Sequence, residues 1–295
     1  MVWNTAFSRG LGVILTGALV WAPLAVAETS TTLVKKGEYI YNAAGCVGCH
    51  TAVKPKGAPL AGGRELKTPF GVFVTPNISP DRETGIGRWR EADFVRAMRE
   101  GRSPDGAYYF PAFPYASYAG MTDGDLAALW AYLKSRPAQS RPNRVHEIAF
   151  PFNQRPLLFF WRLLYFDGTP FAPDPEKPTL WNRGAYLVRA VGHCGECHTP
   201  RSLMGGMRLD REFAGAAEGP EGKRVPNITP HKTKGIGAWS LQDIVSFLSD
   251  GGLPDGDYVG GAMTEVVENS TSRMTQDDLR AIAEFLSSAP EYAGP

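Results

Sequence analysis

The sequence predicts a mainly α fold built from two small helical modules, related by duplication and joined by a proline-rich segment. Three observations carry that expectation. The string Cys-x-x-Cys-His occurs twice, as Cys46-Val47-Gly48-Cys49-His50 and Cys194-Gly195-Glu196-Cys197-His198. Other short strings recur 150 positions apart: Pro76-Asn77-Ile78-Ser79-Pro80 with Pro226-Asn227-Ile228-Thr229-Pro230, Gly85-Ile86-Gly87-Arg88-Trp89 with Gly235-Ile236-Gly237-Ala238-Trp239, and Pro104-Asp105-Gly106 with Pro254-Asp255-Gly256. Each copy then closes on an apolar stripe at helical spacing behind a capping threonine: Thr122 and Asp125 before Leu126, Leu129 and Leu133, and Thr275 and Asp278 before Leu279, Ile282 and Leu286.

Taken in order, residues 1–27 read as an export signal. Arg9 is the one charge before Glu28, Leu11 to Ala27 is almost wholly apolar, and Ala25-Val26-Ala27 has the small-x-small form of a cleavage site. The apolar run is short for a bilayer span and contains Pro23. Export places the protein in the periplasm. The first module is expected over 32–136, with helices over about 33–44, from Trp89 to Met98 and from Thr122 onward. The glycine- and proline-rich stretches between them are read as loops wrapping a cofactor rather than as strands. Residues 137–180 form the proline-rich linker. Within it, Leu157 to Phe166 is strongly apolar, either a short bridging helix or a docking or membrane-surface patch. The second module covers 181–290.

Composition narrows the function. In 295 residues, 31 Lys and Arg balance 30 Asp and Glu, so no basic excess is present to meet nucleic-acid phosphates. A hydrophobic content of 43% is enough for packed cores. With 33 glycines and 24 prolines, a long bundle or coiled coil is excluded.

The two pentapeptides carry the chemistry. Cys-x-x-Cys-His is the attachment signature of c-type haem: two thiols add across the two vinyl groups and the adjacent histidine meets the iron. A redox dithiol would leave both histidines without a role, and a four-cysteine zinc site would need two distant pairs brought together. Two covalently bound haem c groups are therefore expected, on Cys46, Cys49 and His50 and on Cys194, Cys197 and His198. On the far side of the second iron, Met263 is the expected thioether ligand. The first module differs, because Phe113 stands at the position equivalent to Met263. Three readings stay open there: Met121 as ligand, His146 as ligand, or an open iron with Phe113 as an apolar lid; Met98 is a minor fourth. Trp89 and Trp239 are candidates to pack on the haems or to donate an indole N–H to a propionate. Arg64 and Arg88 are candidates to neutralise propionates, and Asn77 and Asn227 to satisfy propionates or haem-facing backbone.

These features resemble the cytochrome c subunits of bacterial membrane-bound alcohol, sugar and aldehyde dehydrogenases. The resemblance rests on Gly184-Ala185-Tyr186-Leu187, the Cys194 to Pro200 segment, the paired Asn-Ile-Ser/Thr-Pro and Gly-Ile-Gly-x-Trp strings, and Met263-Thr264-Glu265-Val266-Val267-Glu268. It implies two class I-like cytochrome c modules here, where family members often carry three haems and have a methionine at the place of Phe113. It also implies electron transfer from a dehydrogenase towards a quinone or terminal oxidase, with His50 and His198 as proximal ligands and Met263 as one distal ligand. The expected function is a periplasmic dihaem cytochrome c relaying single electrons between a redox protein partner (dehydrogenase, quinone-linked complex or oxidase) and a respiratory acceptor, with 157–166 as the candidate for a peripheral membrane or subunit contact. The rival readings are a peroxidase-like or small-oxide reductase enzyme using an open first haem, and a fixed subunit of a larger oxidoreductase.

Overall fold

The computed structural model describes residues 1, 23–219 and 222–294. Most of the predicted export segment, 1–27, lies outside them. In chain order the elements are α1 (Pro23–Ala43), α2 (Cys46–Cys49), β1 (Glu65–Thr68), β2 (Gly71–Val74), α3 (Glu91–Glu100), α4 (Tyr115–Tyr118), α5 (Asp123–Lys134), β3 (Glu147–Ile148), α6 (Leu158–Tyr165), α7 (Thr179–Tyr186), α8 (Gly195–His198), α9 (Leu241–Asp250), α10 (Ala262–Asn269) and α11 (Gln276–Ser287). Among the described residues no helix is long and apolar enough to cross a membrane.

The expected caps form as the sequence implies. Thr122 Oγ1 accepts the Asp125 N–H at 3.2 Å, and Thr275 Oγ1 accepts the Asp278 N–H at 3.2 Å. Behind these caps, α5 buries Leu126, Leu129 and Leu133, and α11 buries Leu279, Ile282 and Leu286. Their partners are α1 and α7, which cross them backbone to backbone. A Cβ on Gly37 would lie 1.9 Å from the Ala128 carbonyl oxygen, and one on Gly184 would lie 1.9 Å from that of Ala281. Only glycine permits either crossing.

The two helix pairs are tied to each other crosswise. Tyr39 of α1 donates to Asp278 at the start of α11, which also pairs with Arg183 of α7 at 2.7 Å. Reciprocally, Tyr186 of α7 donates to Asp125 at the start of α5 at 2.5 Å, and Asp125 pairs with Lys36 of α1 at 2.7 Å. Burial and the Asp125 carboxylate together push the Tyr186 phenol up to about 12. The raised value means the fold holds this proton more tightly than the unfolded chain does. Its contribution is present below the unfolded tyrosine value of 10.0 and is lost as the pH climbs to about 12. We expect the unfolding free energy, read from urea melts followed by far-UV circular dichroism, to fall over that window by on the order of 2 kcal/mol, and Tyr186→Phe to flatten the fall. An identical pH profile in the variant would refute the assignment. At the other end, burial alone would raise Asp278. Its bonds to Arg183 and Tyr39 outweigh that and hold its carboxyl below the ordinary value, so this contact weakens only as the pH falls through that lowered value.

The stretch between α2 and α3 was expected to be loop, yet it forms a small antiparallel sheet in the order β1-β2-β3. Leu66 pairs with Phe73 across a tight Thr68-Pro69-Phe70-Gly71 turn, in which Thr68 Oγ1 accepts the Phe70 N–H. The β-branched and aromatic run Val72-Phe73-Val74 favours a strand. Gly71, at φ 127°, lets β3 approach so closely that a Cβ there would lie 2.3 Å from the Glu147 carbonyl oxygen. Residues 139–158 therefore pack back onto the first half instead of spanning freely. Gln139 bonds to Asn77 and Ser79, Arg141 donates to the Gly62 carbonyl at 2.6 Å, and Leu158 joins Phe73 and Phe110 in a small second core. At the other end of the chain Asn227 does the same, donating to the Tyr292 carbonyl at 2.7 Å. Asn77 and Asn227 thus pin the segments that follow α5 and α11, a role the sequence reading gave to propionates.

Candidate functional site

Both cysteine pairs sit on short helices that leave a longer helix at a sharp bend. Gly45, at φ 61°, ends α1 and admits α2. At the second site α7 runs into a π-helical turn, Leu187–Val191, closed by the Gly192 N–H on the Leu187 carbonyl at 2.7 Å, and His193 takes the left-handed position at φ 41°. One helical turn then sets each histidine over its first cysteine: the His50 N–H donates to the Cys46 carbonyl at 2.9 Å and that of His198 to Cys194 at 3.0 Å.

The two imidazoles are oriented alike. Nδ1 of His50 bonds to the Pro76 carbonyl at 2.9 Å and Nδ1 of His198 to the Pro226 carbonyl at 2.8 Å, which assigns the proton to Nδ1 and leaves Nε2 bare for a metal. Burial lowers both histidines below their ordinary value, opposed by those carbonyls, so the rings are neutral. The four cysteines are free of disulfides, and burial pushes the Cys46 and Cys194 thiols up to about 12. Among the described residues no three His, Cys, Asp or Glu side chains converge as a metal site. Two thiols beside one Nε2-bare imidazole are the donor set that covalent haem requires, and both sites supply it.

The sites are also linked to each other. Arg64 donates to the Gly48 carbonyl inside the first motif at 2.7 Å and pairs with Glu265 of α10 at 2.5 Å. Arg201 donates to the Glu196 carbonyl, at the matching place in the second motif, at 2.7 Å and pairs with the Glu196 carboxylate, which accepts from Ser117 of α4 at 2.9 Å. Each attachment motif is therefore clasped to the other half's α4 or α10. Between the motifs the Tyr118 ring packs edge-on against His193 at 5.3 Å, and His193 Nε2 reaches the Ala44 carbonyl at 3.4 Å.

The remaining candidates are spread. Met263 lies in the first turn of α10 rather than in a loop, half-buried against the main core, because Gly261 at φ 69° turns the chain and Ala262 to Asn269 continue as helix. Met121 is fully buried just before the cap of α5. His146 packs edge-on against Phe73 and Phe110, with its Nδ1 accepting the Val74 N–H at 3.1 Å. Trp89 and Trp239 are half-buried against the main core, Trp239 edge-on to Phe247 at 5.4 Å. Arg88 pairs with Glu83. The apolar segment forms α6, which buries Leu158 and Trp161 but leaves Phe160, Leu163 and Leu164 more than 60% exposed, beside Leu203 and Met204. Arg64, a candidate for a propionate in the sequence, is held here by Gly48 and Glu265; the links of Arg64 to Glu265, of Glu196 to Ser117 and of the tyrosines between the halves were not legible, since those partners are far away in sequence.

Comparison with known proteins agrees with this geometry. The cytochrome c family model matches residues 34–137. A protein of Cereibacter sphaeroides described as a dihaem c-type cytochrome is 45% identical over 259 residues, which is 86% of this chain and 85% of that one. The gluconate 2-dehydrogenase cytochrome c subunit of Pantoea cypripedii is 38% identical over 95% of this chain, and the cytochrome c subunit of the quinone alcohol dehydrogenase of Gluconobacter oxydans is 36% identical over 98%. The chain spans 65% and 60% of the length of those two subunits.

Proposed function

The chain belongs to the c-type cytochromes, which carry covalently bound haem and transfer electrons, and from that membership we propose that it is a periplasmic dihaem relay for single electrons between a dehydrogenase and a respiratory acceptor. The single observation that carries the reading is the repeated site: two thiols and one Nε2-bare histidine, held the same way twice. In this reading the chain is a duplication of two class I-like cytochrome c modules, 32–136 and 181–290, with 1–27 removed on export. The matched crossings at Gly37 and Gly184 and the matched caps at Thr122 and Thr275 support it.

Haem supplies the redox chemistry; the protein supplies ligation, orientation and burial. Cys46, Cys49 and His50 would hold the first group, and Cys194, Cys197 and His198 the second, with Met263 as a further ligand to the second iron. Trp89 and Trp239, half-buried at matching positions, would pack on the groups. Tyr118 and His193 fill the space between the two attachment motifs and define the path by which an electron passes from one half to the other. The exposed face of α6, with Leu203, fits an apolar surface of the dehydrogenase partner better than solvent.

The test is a haem count on the exported chain. The pyridine haemochrome assay is expected to give two haem c per chain, and the double variant Cys194→Ser/Cys197→Ser one. In the same preparation, glutamate at Leu163 and Leu164 is expected to leave both haems loaded and to slow reduction by the dehydrogenase partner at least tenfold. Unmodified thiols, or a wild-type count of one, would remove the relay reading.

A further inference from the structure

We infer that the iron held by His50 keeps its sixth position free of any protein ligand and binds a small neutral diatomic molecule, such as carbon monoxide or nitric oxide, beside Phe113. The inference rests on the two-haem reading above and concerns only the first site.

The loops that carry Phe113 and Met263 match bond for bond. The Ser103 N–H donates to the Ala107 carbonyl as Leu253 donates to Asp257, at 2.9 and 2.8 Å. The Tyr109 N–H donates to Gly101 as Val259 donates to Gly251, at 2.8 and 2.9 Å. The bridges Arg102–Tyr108 and Gly252–Tyr258 are also equivalent. Five residues beyond each bridge comes Phe113 in one loop and Met263 in the other, both half-buried against the main core. The position that offers a thioether in the second half offers a phenyl ring in the first, and a phenyl ring has no lone pair to give.

No other sulfur or imidazole is placed to substitute. The chain has seven methionines and five histidines, and residues 2–22, 220–221 and 295 contain none of them. Met121 has the surroundings of Met274: each precedes its capping threonine and bonds back through its N–H, to Tyr118 at 2.9 Å and to Thr271 at 3.0 Å. Met274 stands beside a half that already has Met263, so this position is a core position in both halves. Met98 is buried on α3 where α9 has Leu248, a residue that only packs. Met204 and Met207 belong to the hairpin that follows the second motif; Met207 lines the same small cavity as Phe113, but its Sδ is turned to the second motif, 3.8 Å from where a Cβ on Gly195 would lie. His146 accepts the Val74 N–H at Nδ1 within the small second core, which puts its proton on Nε2; His193, next to Cys194 of the second motif, is held by Ala44 and Tyr118; and His231 caps its own turn by accepting the Thr233 and Lys234 N–H groups.

The surroundings of Phe113 select the ligand class. Its ring meets those of Tyr109 and Tyr118 at 5.7 and 5.8 Å. The one cation lining the small cavity beside Phe113, Arg201, is paired with Glu196.

The experiment uses the exported chain with both haems confirmed by pyridine haemochrome, reduced with dithionite and titrated with carbon monoxide. The expected result is uptake of one carbon monoxide per chain, with about half of the Soret intensity shifting. Ferric spectra should show one high-spin and one low-spin iron by EPR. Phe113→Met is expected to abolish uptake and add a second thioether–iron charge-transfer band in the far red. A two-haem wild type that takes up no carbon monoxide, takes up two, or shows both irons low-spin overturns this inference and leaves the relay intact. Fewer than two haems overturns both. The EPR and titration of the wild type stand whether or not the methionine variant folds.

Discussion

Replacing Met263 by alanine is expected to turn the second haem high-spin, erase the thioether-to-iron charge-transfer band, and lower that haem's midpoint potential by on the order of 0.2 V, within the roughly 0.8 V that axial ligation spans. A thioether stabilises ferrous iron relative to ferric, so its loss favours the oxidised state. The geometry supports a fixed ligand: Gly261 turns the chain into α10, the Thr264 hydroxyl donates to the Val259 carbonyl at 3.0 Å, and Glu265 is clasped by Arg64. Potentiometric titration with visible spectra reads both effects, and Met263→His separates them by restoring a low-spin iron without the far-red band. A wild-type spectrum unchanged by the alanine substitution would remove Met263 from the iron.

The largest effect on stability is expected at the helix crossings. Gly37→Val drives a branched side chain into the Ala128 carbonyl, and Gly184→Val does the same at Ala281; each obstacle is backbone and cannot rotate away. A destabilisation of about 3 kcal/mol or more follows, read as a lower urea midpoint, because the helices must separate to admit the side chain. Gly124→Ala is the control. It lies inside α5, and its new methyl would meet only Lys36 Nζ at 3.5 Å. Removing glycine from an open helical position is expected to raise stability by up to about 1 kcal/mol. Equal losses at all three positions would show that the crossings are not the cause.

Much of this was readable because the signals are local. Attachment needs its residues within one helical turn, so Cys46 to His50 and Cys194 to His198 announce themselves. Caps need partners three residues apart, so Thr122 and Thr275 do as well. The apolar run from Leu157 to Phe166 reads as a short helix or as a surface patch, and α6 has both features: it is a short helix that leaves Phe160, Leu163 and Leu164 exposed. The sheet was missed because its third strand, at Glu147–Ile148, comes from the segment read as a linker, and nothing nearby in sequence says that Gly71 clears the way for it. That Met263 falls in the first turn of a helix was not legible, because the two glycines before it are ordinary loop residues and only the backbone at Gly261 turns the chain into α10. The links of Arg64 to Glu265 and of Glu196 to Ser117, and the exchange between Tyr39, Asp278, Tyr186 and Asp125, join residues that only folding brings together, and no periodicity reports them.

The exchanged tyrosine bonds bear on how such a protein can be dismantled or recombined. Asp125 takes its phenolic partner from the other half of the chain, and Asp278 does likewise. Cutting the gene in the middle would leave each fragment with a largely buried aspartate that has lost a donor and a bare apolar flank where the other half had rested. The two halves are in this sense a closed pair, and a graft or fusion that borrows one must take the other with it.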